Sequence, residues 1–486
     1  MEDSPEPAAH SHAPAALVAA TGAAPRQRHR LLLTLQHSQK EAVASSTMTA
    51  TCDNFMNAFA LHLGASSIQM GLLTGIPQLL GSLLQLVSVG LGNWFTRRRI
   101  VLFAALLQTS LMFGFGTLAA LRRTGLVESL IMLVMLYHAT SNLIQPQWRA
   151  WMGSLVPQKQ RGRFFASRSK LTVATSLAMF LFGGLLLSLS DRYDAAWIGF
   201  FFLFFISAIG RAFSCYFLWS MHDAHLPTAE NRGTPVLATL ARIRESMADT
   251  TFRNYTYFFA GMQGAVAVSG PFFAVYMLEE LHYTYFEYSM NLMASIATQF
   301  VLLKYWGKVS DRHGNRLVML LCAAMMPVIP VLWLFSDNYY WLLGAQMISG
   351  LAWSGYNLST ANYLYDIRPH QTDFATYAAV QAGIAAVMVF TGSVFGGYLA
   401  HVAAFINDLL PWSLGSALFI VFVMSGLLRL GVLLWFIPRA EEPRIRTRPQ
   451  LLQIIYRIAR YNSISGVVLD WLTVTEKDDD EKQRKN

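Results

Sequence analysis

Uncharged apolar runs of membrane-crossing length alternate along the chain with short clusters of charge. Such runs occupy residues 64–96, 100–121, 129–148, 171–190, 254–278, 317–336, 338–365 and 374–400. A helix rises about 1.5 Å per residue and a bilayer's hydrocarbon core is about 30 Å thick, so each run crosses it or nearly does. Residues 195–221 and 413–438 are as long with one arginine each, while 41–63 and 286–307 are more polar. The pattern predicts an all-α membrane protein of twelve transmembrane helices. The first span costs most to insert, since it holds Lys40, Glu41, Asp53, Asn54 and Asn57, and the even spacing of the others places it.

Composition narrows the class. Charged residues are 13% of the 486 and apolar ones 54%, too little polar surface to clothe a soluble globule. The short connections leave no room for a large extramembrane catalytic domain. Cys52, Cys215 and Cys322 lie far apart in apolar stretches, so neither a disulfide framework nor a thiolate metal site is indicated. No phosphate loop of P-loop spacing and no H-E-x-x-H occurs, and His222/His225 and His10/His12 are isolated pairs in polar segments. No enzymatic activity, metal or cofactor is therefore expected.

The net charge of +9 reads as short cytoplasmic loops facing anionic lipid, not as a nucleic-acid partner. With the N-terminus inside, alternate loops carry sixteen basic residues, including Arg97, Arg98, Arg99, Arg161, Arg163, Arg168 and Lys170; the opposite loops carry Arg122, Arg123 and Arg192. That bias places both termini in the cytoplasm of a cytoplasmic (inner) membrane protein. Expected boundaries are a disordered N-terminal tail over 1–38, without a signal-peptide apolar segment, a six-helix bundle over 39–221 and a cytoplasmic loop over 222–252. A second bundle over 253–438 and a tail over 439–486 complete the chain. Leu451, Leu452, Ile454, Ile455 and Ile458 beside Arg457 and Arg460 give that tail an amphipathic helical pattern.

The chain repeats itself. Phe182-Gly183-Gly184 recurs as Phe395-Gly396-Gly397, 213 positions on, and Ser207 with Arg211 recurs as Ser425 with Arg429, 218 on. Pro157 matches Pro369, 212 on, and Gly90 with Arg99 matches Gly307 with Arg316, 217 on. Nearly equal offsets predict two pseudo-symmetric six-helix halves in the same orientation, with a central site where they face each other.

Gly307-Lys-Val-Ser-Asp311-Arg312-His-Gly314-Asn-Arg316 resembles the G-x-x-x-D-R-x-G-x-R loop signature of the major facilitator superfamily, and Pro157-Gln-Lys-Gln-Arg161-Gly-Arg163 resembles its second loop motif. Together with the twelve-span frame, which covers about 40 to 438, the resemblance implies alternating access: the halves rock about a midplane site. It also implies a cytoplasmic gate built from Gly307, Asp311, Arg312, Gly314 and Arg316, with Arg97 to Arg99, Arg161 and Arg163. In the first half Trp94 stands where the signature has aspartate, which breaks the symmetry of such a latch.

The same resemblance implies a cavity lined by spans one, four, seven and ten. Polar residues concentrate there: Asn54 and Asn57; Tyr137, Asn142 and Gln145; Gln263; Trp353 and Asn357. At bilayer depth such groups need water or a partner, so a hydrated path competes only with interhelical hydrogen bonding. Asp53, near the middle of span one, is the candidate for proton coupling; its competing role is a salt bridge, for example to Arg149. Arg211 and Arg429 are expected to snorkel or to bond a neighbouring helix. Pro146 and Gly270-Pro271 are expected bending points. Span five lacks the Gly-Pro element of the superfamily's drug antiporters. The expected activity is secondary active transport of a small organic solute, proton-coupled through Asp53, by a monomer embedded in lipid. The alternative is a sensor of the same fold that signals through its tail. Few fixed charges in the expected cavity favour a neutral or zwitterionic solute.

Overall fold

The computed structural model describes residues 25–91, 95–123, 125–156, 161–222, 247–367, 374–409 and 414–440; the side chains of 25–29, 85–90, 150, 153–154, 161–163 and 374–376 are not described. Among these residues the chain makes twelve helical passages and no strand. The central loop beyond 222, up to 246, and the amphipathic tail lie outside them.

The first half comprises Pro25–Cys52 continued through Asp53–Phe55 into Met56–His62, then Ser67–Leu91, Arg97–Ala120, Val127–Leu155, Arg161–Asp191 and Ala196–Ser220. The second comprises Thr250–Ser269 continued by Phe272–Val275 and Tyr276–Glu280, then Tyr285–His313, Asn315–Met325 with Val328–Leu332, Tyr339–Ile367, Phe374–Leu409 and Leu418–Phe436. Nine passages are long and apolar enough to cross a membrane on those grounds alone. The first, eighth and tenth are as long but more polar. The first helix begins at Pro25, so residues 25–38 are helical where a disordered tail was expected. Leu35, at 0% exposure, explains why: it packs with Val156 and Phe164, and that burial offsets the weak apolar character of the segment.

Local chemistry fixes the ends. Asp249 caps the seventh passage by accepting from the Phe252 amide at 2.7 Å, and Thr284 with Glu287 forms a reciprocal capping box that starts the eighth. Gly314 joins the eighth to the ninth at φ +89°, a backbone region that strains any side chain bearing Cβ. This is the physical reason for the second glycine of the loop signature.

The repeat is visible in individual bonds. Thr51 and Ser207 share a 2.6 Å hydroxyl contact between passages one and six. Ser269 donates to Ser425 at 3.0 Å between passages seven and twelve, each partner 218 positions on. Gly183 lies against Phe55 of passage one, and Gly396 against Val268 of passage seven. Gly184 abuts Tyr285 and Ser289 of passage eight, while Gly397 abuts Ser67 and Ile68 of passage two. In each copy the first glycine packs within its own half and the second against the other half. Passage two therefore pairs with eleven, and five with eight.

Those two seams lie toward the face opposite the termini, here the far face. A methyl group at Gly71 would collide with the Ser393 carbonyl, and one at Gly75 would sit 3.2 Å from Phe390. The Phe286 amide donates to Ser188 across the other seam at 2.7 Å. On this side one apolar core runs through both halves, uniting Phe55, Phe59 and Leu130 with Phe272, Tyr276 and Phe422. Toward the terminal face the described core divides. Val101, Trp151 and Leu218 belong to one cluster, while Phe258, Trp306, Tyr356 and Phe436 belong to another. Among the described residues, the halves share one apolar core on the far side and have separate ones on the terminal side.

Gly71→Ala should lower the melting temperature of the purified protein, because the Ser393 backbone cannot retreat without moving passage eleven. Gly307→Ala, where a Cβ meets nothing within 4 Å, should leave it unchanged or raise it slightly, helix propensity favouring alanine by about 1 kcal/mol. Equal melting shifts for both would contradict the seam.

Candidate functional site

Passage one is interrupted at its most polar point. The α-helix ends at Cys52, a 3-10 turn spans Asp53–Phe55, and the helix resumes at Met56. Cys52 and Phe55 are fully buried, whereas the Asp53 side chain is exposed into an interior cavity. Tyr137 lines the same cavity beside Asp53. The equivalent place in passage seven is Gly270-Pro271, where the helix also breaks, as expected from the proline. Pro146, by contrast, lies inside a continuous helix.

The cavity encloses about 440 Å³ and lies wholly within the first half. It runs from Asp53 and Tyr137 toward the terminal end, where Glu41, Trp148, Phe165 and Arg168 line it. Glu41 and Asp53 are twelve residues apart, so it extends roughly 18 Å along the helix. Arg168 pairs with Glu41 at 2.6 Å, with side-chain exposures of 13% and 5%, and also donates to the Ser38 carbonyl. The guanidinium lies 4.4 Å over the Trp148 ring. Ser214 donates to the second Glu41 oxygen at 3.1 Å and accepts from Arg211 at 3.0 Å. One carboxylate thus holds two guanidiniums, one directly and one through a hydroxyl.

Of the expected cavity residues, Asp53, Tyr137 and Gln145 line this space. Asn54 and Asn142 donate to helix carbonyls, Ala50 at 3.3 Å and His138 at 2.9 Å. Asn142 also faces Gly81 of passage two. Asn57, Gln263, Trp353 and Asn357 lie outside its lining, Trp353 packing edge-on against Tyr356. Arg149 is exposed and does not pair with Asp53. At the loops, Arg98 donates to the Trp219 carbonyl, and Asn315 ties the end of passage eight to Asp366 of passage ten at 2.6 Å. Asp311, Arg312 and Arg99 are exposed, Arg97 and Arg316 half-buried. Arg161 and Arg163 start the fifth helix, and Trp94 lies outside the described residues.

Sequence reading missed the charged wall. Glu41 entered only as an insertion cost, Arg168 as a loop charge and Arg211 as a group that snorkels or bonds a neighbouring helix. Arg211 is 4% exposed, lines the cavity and reaches Glu41 of passage one through Ser214, so it does not snorkel. A charge pair on two helices has no sequence periodicity, though Arg211, alone inside the long apolar run 195–221, was a usable signal.

The Major Facilitator Superfamily model matches residues 255–475. That match spans less than half of the 486 residues, and over it the chain resembles that superfamily. Its fold is that of solved transporter structures. The nucleoside transporter NupG carrying D323A aligns with a TM-score of 0.63 at 11% identity, covering 84% of this chain and 100% of that one. A bacterial homologue of the human lysosomal transporter Spinster, inward-facing and occupied, gives 0.60 at 13% identity, covering 88% and 100%. Its unoccupied form gives 0.55 at 14%, covering 86% and 96%. No curated protein matches the sequence. At these identities the likeness carries the fold, and the chemistry rests on this chain's own residues.

Glu41→Gln should destabilise the protein strongly, about 3–5 kcal/mol being typical when one partner of a buried pair is removed. The double substitution Glu41→Leu with Arg168→Met should restore much of that melting temperature. A double variant no more stable than Glu41→Gln would show that the pair is not coupled.

Proposed function

We propose that this chain is a secondary active transporter that moves a small organic solute across the cytoplasmic membrane by alternating access, with the first-half cavity as its solute site. The observation carrying this reading is the apolar core, continuous between the halves on the far side and divided on the terminal side, with a polar cavity running from mid-depth toward the divided side. Loop charge assigns the terminal face to the cytoplasm, so the arrangement is that of a carrier open inward. The gate residues expected near Gly307 to Arg316 and Arg97 to Arg99 lie at the ends that must meet when the carrier turns outward. Asp53 is the proton-coupling residue in this scheme. It sits at the closed end of the cavity, on a turn already outside the regular helical ladder, where a change of protonation can bias which side is open. The protein acts as a monomer, since one chain contains both halves and a complete cavity.

Two measurements test this. Single cysteines at Gln145 and Ser169, in a background lacking Cys52, Cys215 and Cys322, should react with a membrane-impermeant maleimide from the terminal face and be protected when solute binds. In liposomes, uphill uptake should depend on an inward proton gradient, and Asp53→Asn should lose that dependence while exchange down a gradient persists. Asp53→Asn with unchanged uphill uptake would remove the proton assignment. Cysteines that react equally from both faces would remove alternating access at this cavity.

A further inference from the structure

The two arginines that occupy the same place in the repeat do different work. Arg429 is buried in the second half and donates to the Met326 carbonyl at 3.0 Å and to Ser269 at 2.9 Å. Four residues after Met326 stands Pro330, which has no N–H to offer that carbonyl. Arg429 supplies the missing donor, so its role is structural. Passage three, the counterpart in the first half, is an unbroken helix without proline. Arg211 has no such carbonyl to satisfy. It makes one hydrogen bond, to Ser214, and its Nε, shielded in the wall of the cavity, has no partner.

Other groups of the same wall are also unpaired. Gln108, 2% exposed, commits its amide nitrogen to Ser141 at 2.8 Å and leaves its oxygen without a donor. The Trp148 indole N–H has no acceptor. Both side chains line the cavity. Buried polar atoms without partners are costly, and all three belong to side chains that line the cavity.

Charge narrows the class. Two acidic and two basic side chains line the wall, Glu41 and Asp53 with Arg168 and Arg211, and with Asp53 deprotonated they set its charge. Their formal sum is zero, but they are not evenly placed. Glu41 is shared between both arginines, which leaves positive charge in excess there, while Asp53 lies at the opposite end beside the neutral Tyr137. Away from bulk water a ligand of net charge would leave that wall unbalanced, whereas a net-neutral ligand with separated charges would complete it. The repeat shows this wall to be special to the first half. At the offsets set by the Thr51/Ser269 and Gly183/Gly396 pairs, Glu41, Asp53 and Arg168 correspond to Phe259, Pro271 and Gln381.

We infer that the cavity binds a zwitterionic solute of the amino-acid or betaine class, its carboxylate received by Arg211 and its cationic end by Asp53. This rests on the transport reading of the same cavity. The solute's body lies along Met48 and Ile144, between those two ends.

The test uses the full-length protein in detergent and reads ligand-induced melting shifts and binding constants. The probes are free amino acids, glycine betaine and small dipeptides, each beside its amide, which lacks the carboxylate, and its deamino acid, which lacks the cation; uridine and adenosine serve as uncharged probes. A zwitterion should give the largest shift, and its amide and deamino acid should each bind at least tenfold more weakly. Arg211→Gln should abolish the preference for the acid over its amide, and Arg211→Lys should restore part of it. Arg429→Gln should lower the melting temperature and leave the preference intact. Should Arg211→Gln fail to fold, Ser214→Ala, which frees the guanidinium without removing it, is expected to alter acid affinity but not amide affinity. Best binding by a nucleoside, an amine or a monocarboxylate, or an acid-over-amide preference unmoved by Arg211→Gln, overturns the zwitterion assignment and leaves the transport reading standing. No shift by any probe, together with cysteines at Gln145 and Ser169 equally reactive from both faces, overturns both.

Discussion

Backbone-to-backbone approach at the two cross-half seams constrains everything else in this molecule. In lipid there is little hydrophobic gain from bringing one apolar helix against another, so association depends on close packing and on residues small enough to permit it. Gly71 and Gly75 let passage two reach Ser393 and Phe390, and Gly184 lets passage five reach Tyr285 and Ser289. These contacts set the distance between the halves on the far side. The shared aromatic core on that side and the division of the core toward the termini follow from where the small residues stop.

Within that frame the two halves have diverged while keeping one skeleton. Both retain a hydroxyl pair between their first and last helices and a break at the same level of the first helix. Among the described residues, the cavity lined by acidic and basic groups lies in the first half, while the terminal part of the second is filled by Tyr255, Phe258, Trp306, Tyr356 and Tyr363. A duplicated scaffold can divide labour in this way because the interhelical contacts tolerate changes one residue off the seam. Arg211 and Arg429 mark the division: the same residue at the same place is a backbone donor where the ninth passage has Pro330, and part of a cavity wall where the third has no proline.

Much of the architecture was legible in the chain, for physical reasons. The helices follow from runs too apolar for any other solvent, and the duplication from glycines whose contacts are fixed by backbone geometry. The glycine pairs 183/184 and 396/397 proved to be equivalent contacts as well as equivalent letters. The site was legible only in part. Asp53, Tyr137 and Gln145 stand out as polar groups at mid-span, and they do share a cavity. Asn54 and Asn142, equally polar, spend their amides on their own helices, which no spacing rule separates from cavity lining. Glu41 and Arg168 were hidden because their meaning lies in a 2.6 Å contact across 127 positions. The helical start at Pro25 was missed because Leu35 gains its stability from Val156 and Phe164, not from its neighbours in sequence.

The interrupted first helices of the two halves have a mechanical corollary. Met56–His62 and Phe272–Val275 lie beyond the breaks at Asp53 and at Gly270-Pro271, and these short pieces touch one another. The plug between the cavity and the distal compartment therefore consists of stubby segments articulated on long levers. In the transport cycle proposed above, such a stopper swivels by a few torsions at two joints, so its thickness, and not that of the bilayer, would set the travel.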